Sequence, residues 1–270
     1  MIGVRSTLRA LPGRLEKLGY QTGLRSAARL ALPDFLGIGA QKAGTTWLYE
    51  NLRRHPELFL PEEKEIHYFD RSFHRPLHEY AARFEPGAGR FCGEITPGYS
   101  ILEPSRIRFV RRLRPGLRLL LLLRDPIERA WSQALMNLVQ HPGRRFEEVP
   151  EEEFVHHFRS PRSVARGDYA AILGRWSREF PSEQLFVGFF EDVAERPQEL
   201  LERIFRFLGV SCRIDFGALP VHRVRNPGAG VELPPRLHRT LCEMYADDLH
   251  RLAPRLGAPV ERWRRAHGLA

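Results

Sequence analysis

Short apolar runs alternate with amphipathic stretches along most of this chain, separated by turn residues. Residues 35–40 (FLGIGA) form an apolar run that ends in a small-residue turn and leads into TTWLYENLRR. That pattern predicts a buried strand, a tight turn and a helix over 45–54. His55-Pro56 stops the helix, because the residue before a proline is pushed out of the helical region. Residues 90–95 (RFCGEI) predict a second strand, and 104–114 a basic helix that ends at Pro115-Gly116. The run 118–123 (RLLLLL) is too short for a typical helix and apolar after its first position, so it reads as the central strand of a parallel sheet covered on both faces. Asp125 caps the next helix, with Pro126 at its first position, and the helix runs to about residue 139. The stretch 141–166 is polar, carries the acidic patch EEVPEEE, and reads as irregular. A helix over 168–180, a buried strand at 184–190 (QLFVGFF), an amphipathic helix over 197–208 ending at Gly209, and a mostly helical tail over 234–265 complete the pattern. Strands alternating with helices predict an α/β domain, three-layered, with a central parallel sheet flanked by helices.

Leu8, Leu11, Leu15 and Leu18 fall at helical spacing and predict a helical extension over 1–32, ahead of a single domain over 33–270. Such a helix either packs on the domain or offers its face to a membrane surface or partner; the pattern leaves both open. No run approaches the ~18 apolar residues of a membrane span, and no apolar core with a cleavage site follows the N-terminal arginines. The net charge of +9 favours an anionic partner. The basic residues are interleaved with acids, and neither zinc-finger spacing nor an RNP-type aromatic motif is present, so nucleic acid is not expected. Only Lys17, Lys42 and Lys64 are lysines, which singles out the two that flank the first helix. Cys92, Cys212 and Cys242 are far apart, as in a reduced cytoplasmic protein; pairing of Cys212 with Cys242 stays open. His74 and His78 have the i, i+4 spacing of a helical metal site, but Pro76 lies between them, and no metal is expected.

The turn after the first strand reads GAQKAGTT over 39–46. Gly39 and Gly44 have the spacing of the phosphate-binding loop GxxxxGK[ST], and Thr46 fills its last place. Thr45 stands where that loop has lysine, and Lys42 precedes Gly44 instead. A strand, glycine turn and helix start still make an anion site: unpaired backbone N–H groups carry partial positive charge, Gly44 lets the backbone approach closely, and Thr45 and Thr46 add hydroxyls. The fold is thus expected to be P-loop-like.

The loop segment QKAGTTWLY, followed in order by KEIHYFD (64–70), GEITPGY (93–99) and LRDPIERAWS (123–132), resembles the sulfotransferases that use 3′-phosphoadenosine 5′-phosphosulfate (PAPS). The resemblance is nearest the heparan sulfate sulfotransferase branch and its bacterial relatives, and extends through GDYAAILGRWSREFP (167–181) and FLG (207–209). It implies a sulfotransferase that moves the sulfuryl group of PAPS to a hydroxyl or amine of a glycan, glycolipid or secondary metabolite, by in-line transfer and without metal, leaving adenosine 3′,5′-bisphosphate. It places the lysine before the glycine, where Lys42 stands. It implies a cofactor site of Lys42, Ala43, Gly44, Thr45, Thr46 and Trp47 for the 5′-phosphosulfate, with Arg124 and Ser132 for the 3′-phosphate. Glu65 is implied as general base, with His67 as the alternative base or as a group that orients it, and Lys64 and Asp70 in support. If KEIHYFD is extended, Glu65 and His67 point to one side. A late loop, VRNPGAG over 224–230, is expected to cover the nucleotide with Arg225, Asn226 and Gly228. One departure bears on the acceptor: the glycan enzymes usually have lysine where this chain has Ile95. Segments 70–90 and 141–166 are expected to line the acceptor cleft. The competing readings are a P-loop kinase, which would need lysine after Gly44 and a Mg²⁺ site, and a non-catalytic nucleotide-binding module of the same fold.

Overall fold

The computed structural model describes residues 16–20, 22–223 and 230–270. Five strands, β1 (Phe35–Gly39), β2 (Leu58–Phe59), β3 (Phe91–Ile95), β4 (Arg118–Leu123) and β5 (Leu185–Phe189), form one parallel sheet in the order β2-β3-β1-β4-β5. The helices are α1 (Thr45–Leu52), α2 (Leu77–Ala81), α3 (Pro104–Leu113), α4 (Pro126–Leu135), α5 (Glu151–Arg159), α6 (Pro161–Gly167), α7 (Tyr169–Ser177), α8 (Phe190–Glu195), α9 (Pro197–Leu208), α10 (Pro235–Leu256) and α11 (Ala258–Ala266). This is the α/β architecture that the alternation of runs implies.

Leu119 to Leu123 of β4 have no exposed surface, nor do Phe35, Leu36 and Ile38 of β1. A strand covered on both faces has no reason to alternate, which is why RLLLLL carries no polar position inside it. Leu36 sits in register with both Glu94 of β3 and Leu119 of β4, so β1 is the middle of the sheet. The chain builds β2 and β3 on one side of β1, then crosses to build β4 and β5 on the other. That reversal opens a crevice at the carboxyl ends of β1 and β4, where ligands of open parallel sheets bind. The amphipathic helix α9 buries Leu200, Leu201, Ile204, Phe205 and Leu208 and ends at Gly209, whose φ of 68° is the left-handed value that helix ends favour.

Two sequence expectations need correction, for 141–166 and 64–70, and two that hold gain detail. Residues 141–166 are not irregular: α5 and α6 lie there, with Phe154 and Phe158 fully inside the core. The acidic patch EEVPEEE supplies Glu151, Glu152 and Glu153 to the first turn of α5, where negative charge meets the positive end of the helix dipole. The helix after Asp125 ends as α4 at Leu135 and continues as one π turn, Met136–Gln140. The tail over 234–265 is two helices, broken at Gly257 with φ 68°. Segment 64–70 is not extended; Glu65 and His67 have φ of 66° and 54°, in the left-handed region.

Of the expected N-terminal extension, the described part lies on the domain. Glu16 accepts from the Leu77 N–H at 2.9 Å, Lys17 donates to the Arg75 carbonyl at 2.7 Å, and Leu32 joins the core. Leu8, Leu11 and Leu15 lie outside the described residues.

Candidate active site

Gly39 ends β1, and the chain turns through Gln41 and Lys42 into α1. Gly44 caps α1 with φ 81°, and a Cβ at this position would come within 3.1 Å of the Phe190 ring. Only glycine tolerates both the dihedral and the approach. No side chain caps α1, and the turn closes with the Leu48 N–H on the Gly44 carbonyl. The N–H groups of the first turn therefore point to the crevice without intrahelical acceptors.

Gln41, Lys42, Gly44, Thr45, Thr46, Trp47, Glu65, Pro97, Arg124, Ser132, Met136 and Phe190 line one cavity of about 150 Å³ there. Five different segments thus converge on it: the loop after β1, the 64–70 segment, the turn after β3, the end of β4 with α4, and the start of α8. A space of that size takes a phosphate–sulfate group, not a whole nucleotide. Arg225, Asn226 and Gly228, expected to cover the nucleotide, lie outside the described residues.

Lys42 has its ammonium 3.7 Å from Met136 Sδ, a weak acceptor. Burial and the nearby Arg124 guanidinium both push its pKa down, so an anion in the cavity would remove a standing penalty. Arg124 follows the last residue of β4. Its guanidinium donates to the Lys42 carbonyl at 3.3 Å, pairs with Glu128 at 3.3 Å, and lies 4.7 Å from the centroid of the Phe190 ring. Tyr169 OH donates to the Arg124 carbonyl at 2.7 Å, which holds the main chain there. Ser132 lines the same cavity from α4, two turns after the cap at Asp125. The Gln41 Oε1 is buried without a hydrogen-bond partner among the described residues. Its side chain was not legible as a site group, because the loop consensus leaves that position free.

Of the expected loop residues, Ala43 does not line the cavity and Trp47 has its indole turned to another partner. Ala43 is fully buried, with its N–H on the Ala40 carbonyl at 3.3 Å. The Trp47 indole N–H is committed to the Val221 carbonyl at 2.8 Å, which anchors the loop.

Glu65 reaches the cavity from the opposite side. Lys64 Nζ lies 2.5 Å from its Oε1, and His67 Nε2 lies 3.3 Å from its Oε2. The other nitrogen of His67 is 2.8 Å from Asp70 Oδ2. Burial works against the Glu65 charge, but the bonds from His67 and Lys64 outweigh it and hold the carboxylate at about 2. The hydrogen bond that His67 donates to Asp70, then that to Glu65, raise its pKa to about 9 against burial. The left-handed turns, rather than strand alternation, bring Glu65 and His67 together.

The backbone of this segment hangs on Glu94, a fully buried carboxyl in β3. Tyr80 and Tyr99 hydroxyls donate to its Oε1 at 2.8 and 2.9 Å, and Thr96 donates to its Oε2 at 2.6 Å. Tyr99 OH in turn accepts from the Tyr68 N–H at 2.9 Å, and Thr96 Oγ1 from the His67 N–H at 3.5 Å. Burial pushes the Glu94 pKa up, opposed by the three hydroxyls. The motif GEITPGY therefore serves the site mainly from below. Ile95 is buried within it, against Gly37, so no cation stands at that position.

The pairing of His67 can be read directly. Replacing Asp70 by Asn should bring the His67 pKa down from about 9 toward the ordinary 6.5, followed by imidazole chemical shifts across pH. Because the folded value is raised, this group adds stability in full below about 6.5 and loses it as pH climbs through 9; Asp70→Asn should flatten that slope. An unchanged titration would mean that Asp70 does not hold the ring.

Comparison with known proteins gives the family and agrees with the fold. The family model of the sulfotransferase domain matches residues 32–216. A sulfotransferase from Alicyclobacillus acidocaldarius is similar in structure, with TM-score 0.70 and 27% identity over 87% of this chain and 100% of that one. Heparan sulfate glucosamine 3-O-sulfotransferase 3B1 of Mus musculus is 30% identical over 66% of this chain and 46% of its own length. The membrane-associated sulfotransferase kil1 of Dictyostelium discoideum is 38% identical over 38% of this chain and 23% of its own. The chain thus spans less than half the length of these two relatives. Fold and site define an α/β domain with a strand–glycine turn–helix loop at the switch point of its parallel sheet. Within that class, the chain belongs to the sulfotransferase family.

Proposed function

We propose that this protein transfers the sulfuryl group of PAPS to a hydroxyl or amine acceptor, with adenosine 3′,5′-bisphosphate as the other product. The observation that carries the reading is convergence: Lys42, the open start of α1, Arg124, Ser132 and Glu65 line one cavity at the switch point of the sheet. Lys42 and the α1 N–H groups suit the 5′-phosphate, on which charge accumulates as the S–O bond to it breaks. Arg124 and Ser132 suit the 3′-phosphate. Glu65, facing them, suits the proton that the acceptor O–H or N–H gives up as its bond to sulfur forms. The kinase alternative lacks its lysine, since Thr45 follows Gly44.

The acceptor reading is a glycan, glycolipid or secondary metabolite. Burial, then the charges of Arg129, Arg162 and Arg71, push the pKa of Arg166 on α6 down, and its Nε is buried without a hydrogen-bond partner among the described residues. That basic wall beside the 64–70 segment suits an acceptor that carries negative charge. No helix among the described residues is long and apolar enough to cross a membrane. Cys92, Cys212 and Cys242 are free, which suits a reducing cytoplasmic compartment.

Calorimetric titration of adenosine 3′,5′-bisphosphate without metal tests the donor site. Binding with ATP far weaker is expected, and Arg124→Ala should weaken it about 10- to 100-fold, since a charge-assisted phosphate contact contributes about 1.5–3 kcal/mol. A Mg²⁺-dependent preference for ATP would overturn the reading. Tight binding with no transfer to any acceptor would favour a non-catalytic module.

A further inference from the structure

Away from the cavity, the C-terminal helices bring together three side chains that the reaction does not use. His238 and Cys242 occupy one face of α10, four residues apart, and His267 follows α11. Their ligand atoms all lie within 4.8 Å of one another. Cys242 Sγ is 3.5 Å from His238 Nε2, and that nitrogen is 2.8 Å from His267 Nδ1. Around a tetrahedral zinc ion, with Zn–S of ~2.3 Å and Zn–N of ~2.0–2.1 Å, sulfur and nitrogen stand about 3.6 Å apart and two nitrogens about 3.3 Å. The separation of Cys242 Sγ from His238 Nε2 already matches, the two rings need part by only about 0.5 Å, and the sulfur, within 4.8 Å of His267, closes on it by at most about 1.2 Å.

A second feature points the same way. The far nitrogen of His267, Nε2, is 2.7 Å from Asp125 Oδ2, and both side chains are almost wholly buried. A carboxylate behind a histidine fixes the ring and directs its other nitrogen at a metal. The remaining oxygen of Asp125 caps α4, accepting from the Ile127 N–H at 2.9 Å. The cluster is therefore wired, through one carboxylate, to the helix that presents Ser132 to the cavity.

We propose that His238, Cys242 and His267 form a binding site for one thiophilic divalent cation, zinc by its ligand chemistry, with water in the fourth position. Binding releases the thiol proton of Cys242 to solvent, while the proton between the two rings moves to Nδ1 of His238 so that both imidazoles ligate in their neutral form, with no redox change. The role is structural: the ion clamps the C-terminal turn to α10 and, through Asp125, to the start of α4. It takes no part in sulfuryl transfer, which is proposed to be metal-free.

The test is titration of the reduced full-length chain with cobalt(II), followed by back-titration with zinc. One equivalent of cobalt should produce a thiolate-to-metal charge-transfer band, which zinc abolishes, and zinc should raise the melting temperature. Cys242→Ala should remove the band. Asp125→Asn should weaken cobalt binding roughly 10- to 100-fold, while asparagine still caps α4. Absence of the band in the unmodified chain at saturating cobalt would overturn the proposal without any variant. So would a band that survives Cys242→Ala, which would place the metal on Cys92 or Cys212. Binding of adenosine 3′,5′-bisphosphate to the metal-free chain is measured separately, so failure here leaves the donor site standing.

Discussion

Lys42→Ala should lower kcat by about 100- to 1,000-fold, the loss found when one preorganised donor to developing charge is removed. Among the described residues the ammonium, at the start of α1, has only a thioether sulfur at 3.7 Å as a hydrogen-bond partner, and it is held half-buried beside a second cation. Its charged form is therefore disfavoured until an anion arrives, and is most favoured when that anion gains charge. The interaction strengthens along the reaction coordinate, so its loss falls mainly on kcat rather than on the affinity for adenosine 3′,5′-bisphosphate. Single-turnover kinetics beside calorimetry separates the two. Loss of affinity with kcat unchanged would make Lys42 a binding group only.

Glu65→Gln keeps the size of the side chain and removes its capacity to take a proton. A fall in kcat of about 100- to 10,000-fold is expected, with product affinity changed only a few-fold. The pH profile adds an independent readout. The acid limb of kcat/KM reports the free enzyme, where Glu65 is held at about 2 by His67 and Lys64. With Glu65 as base, activity should show no acid limb down to below pH 4.5. With His67 as base, the limb should stand near 9, the value that Asp70 and Glu65 impose on the ring. The same depressed value makes Glu65 a source of stability above about pH 4.5 that is lost as pH falls toward 2.

The sheet was readable because its strands are buried on both faces, and such strands write themselves as apolar runs: FLGIG and RLLLLL match β1 and β4 in full. The loop was readable because strand ends and helix starts carry local signals, and Arg124 was singled out by the resemblance to the sulfotransferases. Other parts depend on tertiary context. The two-residue strand β2 and the five-residue α2 are too short for any periodicity. The acidic stretch before α5 looked like a solvated loop because its charges hide the two phenylalanines that anchor the helix. Glu94 could not be distinguished from a surface acid, since the three hydroxyls that hold it come from residues up to 14 positions away. The cluster at His238 needs a partner 29 residues distant.

Lys42, Glu65 and His67 are the non-glycine residues with positive φ among the described residues, at 69°, 66° and 54°. Each such conformation costs an ordinary side chain roughly 1–2 kcal/mol, which glycine escapes. The three positions proposed for chemistry are thus also three positions where the backbone would gain from losing its side chain. At 65 and 67 the pairs with Lys64 and Asp70 offset that gain, but at Lys42, beside a second cation, directed evolution for heat resistance scored by solubility or protease survival alone would drift toward glycine or asparagine. It would deliver a hardier protein with an erased reaction, so a stabilisation campaign on this scaffold should hold position 42 invariant from the first library.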